Sequence, residues 1–432
     1  MHKSALTYLL VVFFLLVVTA CVPAPPLAPA PTQAVARAAQ PTTSAQPAAV
    51  PATPNTAESA AAAGSLKNGD WASPAPSKLP LTVTIGSVLG VTGDVAVYGE
   101  VQKKGIELAV QQINASGYLG QSKLTAVIED STGTNEGAIA AMTKVIDAEK
   151  AVGVIGPTLS AQAFAADPIA QAKSIPVIGP SNTLVGIVEM GNFIFRDSLP
   201  ESSVIPGTIK AVVDLLDVKN VGILWGNDDF SAGGYKVFKQ ALQDNRIEIL
   251  DEETFARGDV DFNAQLTKII AKKPDALVVS ALATEAGKII TQARSLGFAG
   301  PIVGGNGLNS PTVIQAAGQG AEGVIVGAAW NIASQAPLSV DFINAYQAAY
   351  NAPPDQFAAQ AYTAAWLMAT AIRQADSVDP KAIRDALAAI KNLDTPLGKF
   401  SFSEDRNPNH PPVVQIVRNG HFVLLTPETA KN

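Results

Sequence analysis

A chain of 432 residues, 47% apolar and 16% charged, exceeds what one hydrophobic core usually fills, and its composition excludes a disordered chain or a multi-span membrane protein. Its 37 Asp and Glu outnumber 30 Lys and Arg. Only Lys3, Arg37, Lys67, Lys78, Glu58 and Asp70 of these fall in the first 80 positions, so the body is more acidic still. No basic stripe or aromatic-interleaved arginine cluster offsets that charge, and a nucleic-acid partner is not expected.

Lys3 and the almost unbroken apolar run from Ala5 to Val18 have the pattern of a secretion signal over residues 1–20, too short for a comfortable membrane span. The run ends in Val18-Thr19-Ala20-Cys21, which resembles the bacterial lipobox: small residues before a cysteine that is lipidated and becomes the first residue after cleavage. An ordinary signal peptide with a coincidental cysteine is the alternative. Cys21 is the single cysteine, which excludes an intramolecular disulfide. Acyl chains there would anchor the protein to a membrane surface, each buried CH₂ contributing about 0.8 kcal/mol. Residues 21–80 are rich in Ala, Pro, Thr and Ser and cannot bury enough apolar surface to offset ordering, so they read as a solvated tether. Its root-mean-square span is about 40 Å.

From Leu81 strands and helices alternate. LTVTIGSVL is a strand, GEVQKKGIELAVQQINASG a helix with Ile106, Ala109, Val110 and Ile113 on one face, and KLTAVIEDS (123–131) a second strand. A helix through Met142 and Val145 precedes the strand at 152–155, and a helix over 161–172 precedes the strand at 175–178. After Phe195-Arg196-Asp197 the pattern restarts. Helix 209–216 leads to strand 220–228, helix 234–244 to strand 248–255, helix 261–272 to strand 275–282 and helix 285–296 to strand 301–305, with strand 322–330 closing the series. Such alternation predicts α/β structure with parallel sheets. Helices are expected near 339–350, 356–375 and 379–390, the last with Asp379-Pro380 suited to a cap and first turn. Strands 413–417 and 422–425 join across the hairpin dipeptide Asn419-Gly420.

Two strands end alike, AVGVIGPTLSAQ (151–162) and SIPVIGPSNT (174–183): an apolar run, Gly-Pro, then small hydroxyl residues. Ligands of open parallel sheets bind outside the carboxyl ends of the strands, which nominates Ser160, Ser181 and Thr183. The competing role for Ser160 is a helix cap, and for the other two a turn. Catalytic patterns are scarce. His2, His410 and His421 are too scattered for a metal cluster or a histidine-based triad, and no cofactor is implied. The match to GxGxxG at Gly318, Gly320 and Gly323 follows a helix and precedes a strand, the reverse of a dinucleotide-binding unit.

Between Leu81 and about Leu425 the chain resembles the periplasmic leucine/isoleucine/valine-binding proteins, the solute receptors of branched-chain amino-acid ABC transporters. The features that carry this are TGDVAVYG, GIELAVQQINASG, IEDS, VIGPTLSA, IPVIGPSNT, Phe195-Arg196, ILWGNDDFSAGG and GQGAEGVIV, in that order. The resemblance implies a type I periplasmic binding protein: two Rossmann-like α/β lobes with parallel sheets, 81–199 plus 331–412 and 200–330 plus 413–432, joined by a three-segment hinge. It implies capture of a small-molecule ligand by clamshell closure and delivery to an ABC permease, by a non-enzymatic, extracytoplasmic, lipid-anchored protein expected to be monomeric. A sensory ligand-binding module is the alternative role. Ser160, Ser181 and Thr183 match the positions that hold the ligand carboxylate, and Tyr98 a cleft-lining tyrosine. The amine cage departs from the family pattern: two tyrosines are Phe230, in the loop after the WGND strand, and Leu282, and the acid that neutralises the ammonium is Asn306. A small carboxylate or amide-bearing compound with an apolar body is therefore expected, unless Asp228, Asp229 or Glu285 restores amine recognition.

Overall fold

Short runs rich in Val and Ile, bounded by Gly or polar turns, form the parallel strands of two sheets buried between helices. The structure is a computed structural model describing residues 75–431; the signal, Cys21 and the tether as far as residue 74 lie outside the described residues. Strands β1 (Thr82–Leu89), β2 (Lys123–Asp130), β3 (Val154–Ile155), β4 (Val177–Gly179) and β5 (Ile194–Arg196) form the first sheet, in the order β2-β1-β3-β4-β5, with every pair parallel. In the second, β6 (Asn220–Gly226), β7 (Glu248–Phe255), β8 (Ala276–Ser280), β9 (Ile302–Gly304) and β10 (Val324–Ala328) run in the parallel order β7-β6-β8-β9-β10. Each parallel portion thus has the doubly wound order second-first-third-fourth-fifth, in which succession reverses beside the first strand.

Helices α1 (Ala96–Ala115), α2 (Asn135–Asp147) and α3 (Ser160–Ala172) follow β1, β2 and β3, and α4 (Glu201–Leu216) carries the chain into the second sheet. There α5 (Asp229–Asp244), α6 (Asn263–Ala271), α7 (Ala283–Ser295) and α8 (Pro311–Ala317) follow β6 to β9. After β10 come α9 (Pro337–Tyr350), α10 (Gln356–Ala375) and α11 (Pro380–Ala389), which return to the first lobe: Phe342, Trp366 and Leu387 share a core with Ile85 and Ile106. The hairpin β11 (Leu393–Thr395) and β12 (Gly398–Phe400) follows. The chain then crosses again, adding β13 (Val413–Arg418) antiparallel to β10 and β14 (His421–Leu424) antiparallel to β13 at the sheet edge. The chain therefore passes between the sheets three times, and the α/β expectation with two mainly parallel sheets holds.

The apolar helix α10, continuously buried from Gln356 to Arg373, is the spine of the first lobe, as expected of a helix without a polar face. It packs on α1 so closely that a Cβ on Gly105 would stand 2.4 Å from the Ala358 carbonyl oxygen. Asp355 and Asp379 cap α10 and α11 by accepting from the N–H of Ala358 and Ala382, each at 2.9 Å. Helix α5 starts earlier than its Gly233-Gly234 pair suggests, because the Asp228 carboxylate caps it by accepting from Ser231 N–H at 3.0 Å. Part of the stretch read as tether is held: the N–H groups of Ser77 and Lys78 donate to Asp376 at 2.8 and 2.9 Å, and Leu79 packs on the first core.

Candidate ligand-binding cleft

The residues nominated from the sequence follow strand ends, because a parallel sheet delivers all its carboxyl-terminal loops to one edge. Tyr98 comes after β1, Ser160 after β3, Ser181 and Thr183 after β4, Phe230 after β6, Leu282 after β8 and Asn306 after β9. The edges of the two sheets face each other across a cleft holding a cavity with about 310 Å³ free of atoms, the open mouth included. Tyr98, Ser160, Ser181, Phe230, Leu282 and Asn306 all line it. Thr183 does not. It lines a neighbouring groove with Phe164, Leu184 and Glu201, and its Oγ1 is buried without a partner. Thr158, Leu159, Gly307 and Phe357 complete the cavity wall.

On the first-lobe wall the hydroxyls belong to a network organised by Gln102, one turn beyond Tyr98 on α1. Thr158 Oγ1 donates to Gln102 Oε1 at 2.7 Å and accepts from Gly90 N–H at 3.0 Å. Gln102 Nε2 donates to Ser181 Oγ at 2.7 Å, and Ser181 Oγ donates to the Thr158 carbonyl at 2.6 Å. The Ser181 proton is therefore committed. Ser160 is the first residue of α3 rather than its cap, which is Leu159. Its Oγ accepts from Thr183 N–H at 3.2 Å, leaving its own proton to give. The first N–H groups of α3 have no intrahelical acceptor and carry the positive end of the helix dipole, which suits an anion.

On the facing wall, Phe230 stands in the first turn of α5 rather than in a loop, and Leu282 occupies the N-cap position of α7. Gly307 must lack a side chain, since a Cβ there would come within 2.1 Å of the Ala281 carbonyl oxygen and 2.9 Å of the Phe230 ring. Asn306 donates its backbone N–H to Glu201 Oε1 at 3.0 Å. Its Oδ1 accepts from Gln356 Nε2 at 2.8 Å, and its side-chain amide also engages the Glu201 carboxyl. Burial raises the Glu201 carboxyl to about 7 against the opposing pull of its hydrogen bonds from Asn306. Of the acids close in sequence, Asp228 is engaged in capping, Asp229 lines the neighbouring groove, and Glu285 Oε1 accepts from Gly258 N–H at 2.9 Å. None of the three lines the cavity.

The cleft is closed. Tyr98 is buried, its hydroxyl donates to the Gly307 carbonyl at 2.9 Å and accepts from Ala283 N–H at 2.7 Å, and burial raises its pKa. Its ring meets Phe357 edge-on at 4.7 Å. Outside the cavity, Arg257 of the second lobe reaches both carboxylate oxygens of Asp94, the shortest contact being 2.9 Å, and Thr284 Oγ1 donates to the Asp94 carbonyl at 2.9 Å. Tyr98 is thus a bridge between lobes, with its hydrogen bonds already spent.

Two parallel α/β sheets, three crossings and a polar-apolar cavity at their facing carboxyl edges describe a two-lobed binding protein. Residues 82–421 match the family described as periplasmic binding protein. The chain belongs to this family. It is a family of binding proteins rather than enzymes. This periplasmic binding protein is 27% identical over 324 residues to the leucine-, isoleucine-, valine-, threonine- and alanine-binding protein of Pseudomonas aeruginosa, covering 75% of this chain and 86% of the relative. Among solved structures it resembles the branched-chain amino acid transporter substrate binding protein of Streptococcus pneumoniae in complex with isoleucine. That match has a TM-score of 0.75 and 32% identity, over 79% of this chain and 97% of the other. A solute binding protein of an ABC transporter from R. palustris, in complex with benzoate, matches with a TM-score of 0.74 and 26% identity over 80% and 95% of the two chains.

Sequence reasoning missed Gln102, Gln356, Glu201 and Phe357. Gln102 was within reach, since it lies four residues after Tyr98 and so on the same helix face. Glu201 opens α4 at the first crossing, and Gln356 and Phe357 open α10, where no local pattern marks proximity to the cavity.

Proposed function

We propose that this protein is the extracytoplasmic receptor of an ABC importer and that its ligand is a small carboxylate or amide-bearing compound with an apolar body and no ammonium group. The observation that carries this reading is Asn306, an uncharged side chain in the cavity wall with Phe230 and Leu282, at positions where the family resemblance implies an acid and two tyrosines. A buried ammonium without a carboxylate is costly, whereas the α3 N-terminus and the Ser160 hydroxyl still suit an anion. The benzoate complex of the R. palustris relative supports the same chemistry, because benzoate has a carboxylate and no amine. Ser160 and the N–H groups of α3 hold the carboxylate in this reading, Ser181 and Tyr98 shape the pocket, and Phe230 and Leu282 cover the apolar body. Thr183 acts through Ser160, its backbone N–H fixing the Ser160 hydroxyl.

Ligand stabilises the closed form that the permease recognises, and at 100 times its dissociation constant it adds about 2.7 kcal/mol of stability. Lipid on Cys21 and the proline-rich tether hold the body at the membrane surface. Membrane release of Cys21→Ser is the expected result, and an equally bound variant would exclude the anchor. The ligand assignment is tested by Asn306→Asp, which restores a charge to the cage. Calorimetry should show the ratio of affinities for leucine and 4-methyl-2-oxopentanoate moving toward leucine by about tenfold or more. An unchanged ratio would remove Asn306 from the ligand's surroundings.

A further inference from the structure

The polar side chains that line the cavity are Tyr98, Thr158, Ser160, Ser181 and Asn306. The Tyr98 hydroxyl is spent on Gly307 and Ala283, and those of Thr158 and Ser181 on Gln102 and backbone groups, so among the hydroxyls only Ser160 keeps a proton to give. Asn306 remains, and its amide is oriented from outside. The Ala329 backbone N–H, just beyond β10, can only donate, and it donates to Gln356 Oε1. Gln356 therefore turns its Nε2 to Asn306 Oδ1, at 2.8 Å. The donor end of the Asn306 amide is directed away from Gln356, and the amide engages the Glu201 carboxyl. Glu201 Oε1 accepts from the Asn306 backbone N–H as well, at 3.0 Å. Gly305 makes room for this carboxyl, since a Cβ there would stand 2.9 Å from both of its oxygens. Both ends of the Asn306 side chain are thus taken up within the protein.

We infer that Glu201 is a positioning residue that determines specificity through Asn306: it takes up the Asn306 donors, leaves the second-lobe wall without a hydrogen bond to offer, and so selects an acid whose body is plain hydrocarbon. The inference rests on the carboxylate reading above and narrows it. Ser160 and the first N–H groups of α3 serve the carboxylate, and beyond it the ligand meets Leu159, Phe230, Leu282 and Phe357. A hydroxyl, oxo or ammonium group on the body would leave its hydrogen bonds to water behind and find no side-chain partner among the described residues of the wall. The chemistry at position 201 follows from the direction of the relay. Ala329, Gln356 and Asn306 each pass a donor to the next, so the last member must accept, and an ionised carboxylate can only accept. A glutamine there would set a donor against Asn306.

The test is calorimetry at pH 8, above the value of about 7 to which burial raises the Glu201 carboxyl, with 4-methylpentanoate, 4-methyl-2-oxopentanoate and leucine. These probes share one carbon skeleton. The wild-type protein should bind the unsubstituted acid at least about tenfold more tightly than the oxo acid, and leucine most weakly. Glu201→Gln keeps the length of the side chain but turns an amide donor toward Asn306, whose own donors are then released to the cavity. The preference for the unsubstituted acid over the oxo acid should fall by about tenfold or reverse. Glu201→Asp keeps two acceptors and should retain the wild-type preference even where both acids bind more weakly, whereas a loss of packing alone would weaken the two acids equally in both variants. The wild-type ratio decides by itself if Glu201→Gln does not fold. Binding of the oxo acid as tight as that of the unsubstituted acid, an unmoved ratio in Glu201→Gln, or the same fall in Glu201→Asp would each overturn the inference while leaving the carboxylate reading standing. Leucine binding most tightly, or no binding of any probe, would overturn both.

Discussion

The two walls of the cleft differ in where their hydrogen-bonding capacity goes. On the first-lobe wall, Thr158, Ser181 and Gln102 satisfy one another, and only the Ser160 proton and the first N–H groups of α3 are left to face the cavity. On the second-lobe wall, Phe230, Leu282 and Gly307 offer apolar surface, and the Asn306 side chain is engaged by Gln356 and by the Glu201 carboxyl. The first wall is a preorganised anion seat. The second holds its charge one residue back from the cavity, in a carboxyl that burial keeps near neutrality. A hydroxyl in a binding loop is therefore not by itself a ligand contact; what matters is whether its proton is already given away.

The largest expected effect breaks the second wall through its buried acid. The Glu201 carboxyl is raised from 4.5 to about 7, so the folded state binds a proton that the unfolded state has released between those values. Stability is then fully present below about pH 4.5 and is lost as pH rises through 7, by up to on the order of 3 kcal/mol. Asp355, raised by burial from 3.8 to about 7, adds a slope of the same sign. Thermal melts of Glu201→Gln from pH 4.5 to 8 should be flatter than wild type; the remaining slope has contributions of the same sign from Asp355 and from the Asp167 and Asp197 carboxyls that burial raises, and one of opposite sign from His410, which burial lowers to about 4. An identical slope would show that Glu201 titrates normally.

Next in size, Gly307→Ala forces a methyl group to within 2.1 Å of the Ala281 carbonyl and should cost about 1–3 kcal/mol of stability together with measurable ligand affinity. A neutral melting temperature would mean that the loop after β9 gives way freely. The comparison is sharpened by a pair on the first wall. Ser160→Ala should weaken carboxylate binding about tenfold to a hundredfold, because a donor to a charged group is lost and Thr183 N–H is orphaned. Ser181→Ala should weaken it less, since that proton serves the Thr158 carbonyl. Equal losses would dissolve the distinction between committed and available hydroxyls. Smallest is the bridge outside the cavity. Arg257 and Asp94 are 30% and 40% exposed, and Arg257→Ala should weaken binding only by the equivalent of about 0.5–1 kcal/mol, through easier opening seen in small-angle scattering.

The sequence made the framework legible because parallel strands buried on both faces are written as uninterrupted Val and Ile runs. The series from β6 to β10 was read to within a few residues, and β7 at its observed limits of Glu248–Phe255. What escaped was short or was defined by distant partners. Strand β5 has three residues, and β11 and β12 pair only with each other. Thr183 carried the same local signature as Ser160 and Ser181, yet its backbone engages Ser160 and Glu201 while its side chain stays outside the cavity. Gln356 lies 50 residues from Asn306 and 27 from Ala329, so no spacing rule could have joined them. The departure at Asn306 from the acid that the resemblance implies was readable; the hydrogen-bond partners of its amide required the tertiary structure.

The central claim is that the cavity holds an anion and rejects an ammonium. Its most direct test is titration calorimetry of the wild-type protein with leucine and 4-methyl-2-oxopentanoate, which share a carboxylate and an isobutyl body and differ at the α-carbon. The amine-free acid should bind at least about tenfold more tightly, the equivalent of about 1.4 kcal/mol. Tighter binding of leucine by the same margin would contradict the account and place the protein with the amino-acid receptors it resembles.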